Sequence, residues 1–479
     1  MRLDLVLSLQ EVAEAVRGKL QGRKDLPVPG ISTDSRKIEA GELFVALRGQ
    51  KFDGHEYIPE ALKRGAKAIL SEKNQNGKIT GGAEPAAVYV TDTLRALGDL
   101  ARHYRDKFTL PLVAVTGSNG KTSTKEILVS ILRKAWGEDR VLGSSGNFNN
   151  QVGVPLTLFT LRRNQRAAVL ELGTNQAGEI ARLGEIAAPT VGVITNVGSS
   201  HLAGLGGIEG VAREKESLLF SLPRGEGRAV LNADDPRVMA MASRYRERGG
   251  RVVSFGLEPG ATVRASGIRA KNWSLELEVD FPDRRFPVEL KFPGVSGVRN
   301  VLAAGAAAFT LGLKPEEIIS AWEGLGPFPG RLCPARSGRG YWVIDDTYNA
   351  NPDSTEEALQ VLSERRALTG ARAWAVLAEM LELGAETRDA HFRIGEKAAR
   401  LGIDRLVLLD SPDGAIQALS EGARAAGMAA EMIRVFPNQG QLAEGIKQLI
   451  APEDLVLVKG SRATRMDQVV KTLLENHAL

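Results

Sequence analysis

The amino-acid sequence predicts an α/β protein of three domains: a central P-loop-type ATPase α/β domain, a small N-terminal α/β domain, and a C-terminal Rossmann-like doubly wound domain. Three observations carry this. Short apolar runs alternate with helical stretches through most of the chain. One run, Leu112-Val-Ala-Val115, passes through Thr116-Gly-Ser-Asn-Gly-Lys-Thr122-Ser123 into a helical pattern. A length of 479 residues matches about three domains at roughly 150 residues each. Seams are expected before Pro111 and in the Gly/Pro cluster from Gly324 to Gly330, giving domains over 1–108, 109–327 and 328–479.

In the first region, Ser8 with Glu11 reads as a capping box, and Leu9, Val12, Ala13, Val16 and Leu20 recur at helical spacing. This predicts a helix ending near Gly18. Strands are expected at 43–47, 68–70 and 87–90, and helices at 57–64 and 93–104. In the second region the strand at 112–115 and a helix over 121–134 flank the glycine loop. Further strands are expected at 167–172, 191–195, 229–232 and 251–255. The segment 262–290 alternates through Trp273, Leu275, Leu277 and Val279, which predicts antiparallel strands. Asn300 then reads as the cap of the small-residue helix VLAAGAAAFTLGL. In the third region strands at 341–344, 373–377, 405–409, 432–435 and 455–458 alternate with helices, as a parallel sheet requires.

Composition narrows the functional classes. Hydrophobic residues are 43% and charged residues 25%, which is ordinary for a globular chain. The net charge is only +4, too thin for a nucleic-acid or membrane surface. A single cysteine, Cys333, excludes an intrachain disulfide and a multi-Cys zinc site. Asp4 interrupts the apolar start, so a signal peptide is not expected, and the longest apolar stretch, 301–313, is too short for a membrane span. The expectation is a cytoplasmic protein without membrane insertion. The 52 glycines point to loops that turn sharply or approach a ligand closely.

The glycine loop is the sharpest chemical signal. Backbone N–H groups of such a loop converge on an anion, and the following helix N-terminus adds positive potential. Lys121 has the reach for the β/γ-phosphates, and Thr122 offers a hydroxyl to Mg²⁺. The longer general spacing fails, because Val115 stands where its first glycine belongs. The shorter Gly-x-x-Gly-Lys-Thr form is present instead. Glu171 ends an apolar strand, where a carboxylate faces the ligand crevice of an α/β sheet. His201 lies in a Gly-rich loop just past another strand. Lys215 shares a helical stripe with Val211, Leu218 and Leu222, so it lies on the apolar side while Arg213, Glu214 and Glu216 face elsewhere. Such a lysine either snorkels or is depressed in pKa and open to modification. A carbamate formed with CO₂ would make it an anion able to bind Mg²⁺. These residues admit an ATP-dependent ligase or kinase, a mechanical or regulatory NTPase, or a pure nucleotide-binding module.

With these residues in hand, the chain resembles the Mur ligases, ATP-dependent amide-forming enzymes of peptidoglycan precursor synthesis. The resemblance runs the whole length: ISTDSRKIEAGELFVALRGQKFDGH, TGSNGKTS, GNFNNQVGVPLTL, ELGTNQAGEI, NVGSSHLAGLG, LNADD, GVRNVLAAGAAA, FPGR, DDTYNANPDS, LAEMLELG and LVKGSRATRM occur in the family's order. Several are similar to the member that adds D-Ala-D-Ala. Where the relative adding the third residue carries Asp-Asn-Pro-Arg, this chain reads Leu408-Leu-Asp-Ser-Pro-Asp413. Ala378-Glu379 departs from the family's usual Gly-Asp or Gly-Glu pair.

The resemblance implies roles. Gly117, Ser118, Asn119, Gly120, Lys121, Thr122 and Ser123 would cradle the ATP phosphates. Thr122 and Glu171 would hold one Mg²⁺, and His201 with carbamylated Lys215 a second. Asn300 would approach the adenine, Arg331 the γ-phosphate and Asp346 the ribose. Thr33, Ser35, Gln50, Lys51 and Phe52 would contact the UDP of the precursor. Catalysis would rest on Lys121, Lys215, His201 and Arg331. The implied substrates are ATP, UDP-N-acetylmuramoyl-tripeptide and D-Ala-D-Ala, acted on by a monomer. A related Mur-type or folylpolyglutamate-synthase-like ligase with another amine donor, or a non-catalytic nucleotide-binding homologue, are the alternatives.

Overall fold

The computed structural model describes residues 1–49, 52–72 and 85–475, arranged around three sheets. The first holds β1 (Arg2–Ser8), β2 (Lys19–Gln21), β3 (Pro27–Ser32), β4 (Leu43–Val45), β5 (Ala68–Glu72) and β6 (Ala86–Val90). Its order is β1-β3-β4-β5-β6-β2, with β3 to β6 parallel and both edges antiparallel. Helices α1 (Leu9–Ala15), α2 (Ile58–Lys63) and α3 (Thr93–Arg105) pack on it.

Two expectations fail here. The capping box of Ser8 and Glu11 forms, but α1 stops at Ala15 rather than near Gly18, and Leu20 belongs to β2. The opening residues form β1, which the sequence reading missed. Leu3, Leu5 and Leu7 point inward from one face of it, and Arg2, Asp4 and exposed Val6 occupy the other.

The α3 helix joins the first unit to the second. Tyr104 is fully buried between Phe108 and Phe159, and its Oη accepts from the Asp4 amide at 3.0 Å. Arg105 beside it donates to the carbonyls of Phe108, Leu110 and Ala187. These bonds satisfy a buried guanidinium where the chain crosses between units.

The second sheet contains β7 (Leu112–Thr116), β8 (Val141–Gly143), β9 (Ala167–Glu171), β10 (Val191–Ile194), β11 (Arg228–Asn232), β12 (Arg251–Gly256), β13 (Val263–Lys271), β14 (Ser274–Phe281) and β15 (Arg284–Leu290). The order is β15-β14-β13-β12-β11-β10-β7-β9-β8. Neighbouring strands from β8 through β9, β7, β10, β11 and β12 to β13 pair in parallel, while β13-β14-β15 is an antiparallel meander, as the alternating pattern requires. Every residue of β7, β9 and β10 is buried, which explains their unbroken apolar runs. One face carries α5 (Gly153–Leu158), α6 (Glu179–Ala187), α7 (Leu202–Leu205), α8 (Ile208–Phe220) and α9 (Pro236–Glu247). The other carries α4 (Lys121–Trp136), α10 (Val295–Thr310) and α11 (Pro315–Trp322). Chain order reverses between β7 and β10, so the loops after these strands open a crevice at their C-terminal ends.

Asn300 does not cap a helix. Helix α10 begins at Val295 with Gly294 as its cap, leaving Asn300 inside. The small residues after it are buried because α10 lies against α4 and the sheet.

The third sheet holds β16 (Cys333–Arg336), β17 (Trp342–Asp346), β18 (Ala373–Leu377), β19 (Arg405–Leu409), β20 (Ile433–Phe436) and β21 (Leu455–Lys459). The order is β16-β17-β21-β18-β19-β20, parallel except for β16. Helices α12 (Pro352–Thr369), α13 (Thr387–Arg400), α14 (Ala415–Ala425), α15 (Gln439–Lys447) and α16 (Asp467–Leu474) cover it. Separate apolar clusters line its two faces. Both are needed, because a parallel sheet must be buried on both sides. Among the described residues, no helix is long and apolar enough to cross a membrane.

Candidate active site

The glycine loop sits between β7 and α4, at the reversal of strand order. Gly120 caps α4 with φ +81°, and a Cβ there would collide with the Asn300 carboxamide. Gly117 has φ +150°, and its Cβ would collide with the Thr195 hydroxyl. Both glycines are therefore required by close approach as well as by backbone. The loop is braced by the segment after β10. The Asn119 amide donates to Asn196 Oδ1 at 2.9 Å, and Thr195 Oγ1 donates to the Asn119 carbonyl at 2.6 Å. Lys121 folds back, donating from Nζ to the carbonyls of Gly117 (2.7 Å) and Ser118 (3.0 Å). Burial pushes its pKa down, with Arg331 adding to the shift and Glu171 opposing it. Phosphate oxygens entering the loop offer this ammonium better partners than two neutral carbonyls.

Glu171 closes β9 and is buried. Its two oxygens are held separately: Thr122 Oγ1 donates to Oε2 at 2.7 Å, and Asn149 Nδ2 donates to Oε1 at 2.9 Å. The Glu171 amide donates to Ser144 Oγ, and fully buried Lys125 donates to the Ser144 carbonyl at 2.7 Å. The loop 144–149 is thereby fixed beneath the carboxylate. A hydroxyl and a carboxylate converging this closely are hard oxygen donors suited to Mg²⁺, which usually takes one or two carboxylates and completes its shell with phosphates and water. The described residues contain no cluster of three or more His, Cys, Asp or Glu that could bind a metal unaided.

Lys215 lies where the helical stripe placed it, 1% exposed on α8 among buried Val211, Leu218 and Leu222. Desolvation drives its pKa well below the ordinary lysine value, Lys121 pushes it further, and Glu214 opposes both. It makes no hydrogen bond or ion pair with the other described residues. Burial without a partner favours the neutral amine. Glu214 corrects the expectation that it faces away. It is buried and accepts from the amides of Gly178 (2.7 Å) and Ile180 (2.6 Å) at the start of α6. A carboxylate at a helix N-terminus satisfies donors that the helix leaves open.

His201 precedes α7 and pairs through Nδ1 with Glu382 Oε2 of the third unit at 2.6 Å. The hydrogen bond to His201 holds the Glu382 carboxyl below its ordinary pKa, against desolvation. Other third-unit residues meet the central unit nearby. Asn351 Nδ2 donates to Asn119 Oδ1 at 2.8 Å, and Asp353 Oδ2 accepts from the Ser199 amide at 2.7 Å. Glu357 accepts from the Ser296 amide at 2.7 Å, and burial raises its pKa. Arg331 stacks its guanidinium on Tyr348, 3.9 Å from the ring centroid. Asp346 accepts from Lys459 Nζ (2.6 Å) and the Leu332 amide (3.0 Å).

A cavity of about 550 Å³ opens between the central and third units. Ser118, Asn119, Gly120, Lys121, Thr122, Ser123, Glu171, His201, Asn300, Arg331 and Asp346 all face it. Gly117 and Lys215 are not among its lining residues. Thr33, Ser35 and Phe52 are not part of it. Ser35 donates to Glu60 Oε2 at 3.2 Å, and Phe52 is 61% exposed. Gln50 and Lys51 lie outside the described residues.

The sequence reading missed Asn149, Lys125, Asn351, Asp353, Glu357, Glu382 and Lys459. Asn149, Asn351, Asp353, Glu382 and Lys459 stood within quoted motifs but carried no separate chemical signal.

Three family models match consecutive parts of the chain: "Mur ligase family, catalytic domain" over residues 27–105, "Mur ligase middle domain" over 115–308, and "Mur ligase, glutamate ligase domain" over 330–462. The chain belongs to the Mur ligase family. Among Mur ligases it is 34% identical over 475 residues to the UDP-N-acetylmuramoyl-tripeptide–D-alanyl-D-alanine ligase of Escherichia coli, covering 98% of this chain and 99% of that one. It is 30% identical to the Bacillus subtilis enzyme of the same name, over 98% of each chain. A crystal structure of MurF from Acinetobacter baumannii superposes with a TM-score of 0.87 at 31% identity, covering 99% and 100% of the two chains. The Mur ligase neighbours also include MurF from Thermotoga maritima in complex with ADP, with a TM-score of 0.81 at 28% identity, covering 92% and 96%.

Proposed function

We propose that the chain joins D-Ala-D-Ala to UDP-N-acetylmuramoyl-tripeptide with hydrolysis of ATP, giving UDP-N-acetylmuramoyl-pentapeptide, ADP and phosphate for peptidoglycan synthesis. The carrying observation is full-length similarity to ligases of that name, combined with a phosphate loop facing a closing third unit.

A carboxylate does not acylate an amine in water without activation. The tripeptide's terminal carboxylate attacks the γ-phosphorus in line, forming an acyl phosphate and releasing ADP. The dipeptide amine then attacks the acyl carbon, and phosphate leaves. Both partners of the first step are anions, so positive groups must offset their repulsion. Gly117, Ser118, Asn119, Gly120, Lys121, Thr122 and Ser123 hold the phosphates. Lys121 exchanges its loop carbonyls for phosphate oxygens, and Arg331 leaves the Tyr348 face for the γ-phosphate. Mg²⁺, held by Thr122 and Glu171, supplies charge neutralisation when bound. His201 and Lys215, the latter as a carbamate formed with CO₂, are the residues for a second ion. Asn300 faces the adenine, and Asp346 the ribose. The docked third unit excludes water that would hydrolyse the acyl phosphate.

Domains over 1–108, 109–327 and 328–479 divide the work. The first binds UDP through Thr33, Ser35, Gln50, Lys51 and Phe52. The second binds ATP, and the third completes the ATP site and binds the dipeptide. The enzyme acts in the cytoplasm as a monomer.

The deciding assay measures phosphate release with ATP and UDP-N-acetylmuramoyl-tripeptide across a panel of amines. Turnover with D-Ala-D-Ala and none with free amino acids is expected. Turnover with a free amino acid alone would overturn the assignment. ATP binding without turnover would mark a non-catalytic homologue.

A further inference from the structure

The contact between His201 and Glu382 crosses the boundary between the central and third units, and its two ends are built in an unusual way. His201 has φ +54° and Glu382 φ +65°. Left-handed backbone is uncommon outside glycine and persists where surrounding structure enforces it. What enforces it at Glu382 is visible. The Met380 amide donates to Nε2 of fully buried His391 at 2.9 Å, and the Leu381 amide donates to Ser461 Oγ at 2.9 Å. Two consecutive amides are thus pinned to the third unit immediately before the carboxylate. Two residues later, Gly384 approaches α7 so closely that a Cβ on it would lie 3.0 Å from Ala203 Cβ. The loop after β18 therefore seats on the turn that carries His201. Glu382 remains 59% exposed along its side chain. Its Oε2 is nonetheless 2.6 Å from His201 Nδ1.

We propose that Glu382 is a positioning residue for the ligation reaction: it holds Nδ1 of His201 and so presents Nε2 to the phosphate end of the cleft only when the third unit is docked. An imidazole has two nitrogens, and fixing one with a carboxylate sets both the ring orientation and the tautomer that leaves the other as an acceptor or ligand. No hydrogen bond from the described residues occupies His201 Nε2. Because the carboxylate comes from a different unit, the imidazole is oriented in the docked arrangement and released when the units part. The proposal rests on the reading of the cleft as an ATP-dependent ligation site.

The test uses the full chain with ¹⁵N-labelled histidine, nucleotide-free, alongside steady-state kinetics. The His201 ring signals are assigned with His201→Asn. In Glu382→Ala the His201 nitrogen shifts should move toward those of a freely averaging tautomer pair. The kcat should fall about 10- to 100-fold, the usual size of such outer contacts, with an unchanged thermal midpoint. Glu382→Gln, whose amide oxygen still accepts from Nδ1–H, should recover most of kcat. Unmoved His201 signals in Glu382→Ala would overturn the proposal, as would kcat within twofold of the parent. A fall in kcat with unmoved signals would also overturn it, because Glu382 would then act other than through His201. A parent enzyme that does not turn over D-Ala-D-Ala refutes the ligase reading instead, and the nucleotide-free spectra report the His201 contact independently of that failure.

Discussion

Asn351 of the third unit donates from Nδ2 to Oδ1 of Asn119 in the phosphate loop at 2.8 Å, across 232 residues of sequence. The same Asn351 caps α12, with Oδ1 accepting from the Ser354 amide at 2.9 Å. One side chain thus starts a helix with its acceptor and reads the phosphate loop with its donor. Asn351→Asp separates the two roles, because aspartate caps as well as asparagine but has no N–H to offer Asn119. The variant should keep its thermal midpoint and lose several-fold in kcat/KM for ATP. Asn351→Ala should lose both, with a stability cost of about 1 kcal/mol from the missing cap. Thermal melts paired with ATP kinetics check this.

Thr122 and Glu171 share one short hydrogen bond at the proposed Mg²⁺ position. Glu171→Gln keeps the shape and removes the charge. It should weaken Mg²⁺-ADP binding at least tenfold in calorimetry while leaving metal-free ADP binding nearly unchanged. Thr122→Ser should retain binding, since only the hydroxyl is required. Equal affinities for Mg²⁺-ADP in parent and Glu171→Gln would remove the metal assignment.

Lys215 gives opposite signs for stability and activity. Its folded pKa is depressed, so between that value and the unfolded value near 10.4 the unfolded chain binds the extra proton. In CO₂-free buffer, stability should rise with pH through that window, by up to about 1.4 kcal/mol per pH unit. Lys215→Met fills the same apolar slot without a charge. It should melt higher at neutral pH, lose that pH slope, and be nearly inactive. Lys215→Ala should also be nearly inactive, and a small added carboxylate should partly restore it if a carbamate is the working form. Full activity in Lys215→Ala would rule the carbamate out.

Gly120 and Asn300 make a paired test of close approach. Gly120→Ala places a methyl against the Asn300 carboxamide and a side chain at φ +81°. The left-handed backbone costs about 1–2 kcal/mol on its own, and the collision adds to it. In an Asn300→Ala background only the backbone part should remain. A double-mutant cycle from denaturant melts reads the difference, and identical costs in both backgrounds would show that the carboxamide is not in the way.

Much of the site was legible because it is local. The glycine loop, Lys121 and Thr122 follow one another in sequence between a fully buried strand and a helix, so spacing alone placed them. Glu171 and His201 were found because each follows an apolar strand whose end faces the crevice. The burial of Lys215 was legible because a charged residue interrupted an apolar stripe at helical spacing. Family resemblance puts Asn300 at the adenine and the helical pattern makes it a cap, but the helix starts earlier, at Val295. A cap residue and a buried polar residue look alike when the helix start is set by Gly294 rather than by a capping side chain. Strand β1 escaped although Leu3, Leu5 and Leu7 alternate onto one face, because Val6 on the opposite face makes the end of the run read as continuously apolar.

Local pattern sets the three α/β units, the glycine loop with its lysine and hydroxyl, the strand-end carboxylate and the buried lysine. Each of these is written in periodicity or spacing over a few residues. The tertiary structure decided which groups meet across the cleft: Asn119 with Asn351, Ser199 with Asp353, Ser296 with Glu357, and His201 with Glu382. Those pairings depend on how two sheets, each closed around its own core, are set against one another. A polar side chain at that seam carries no periodic signature, because its partner is supplied by a distant part of the chain.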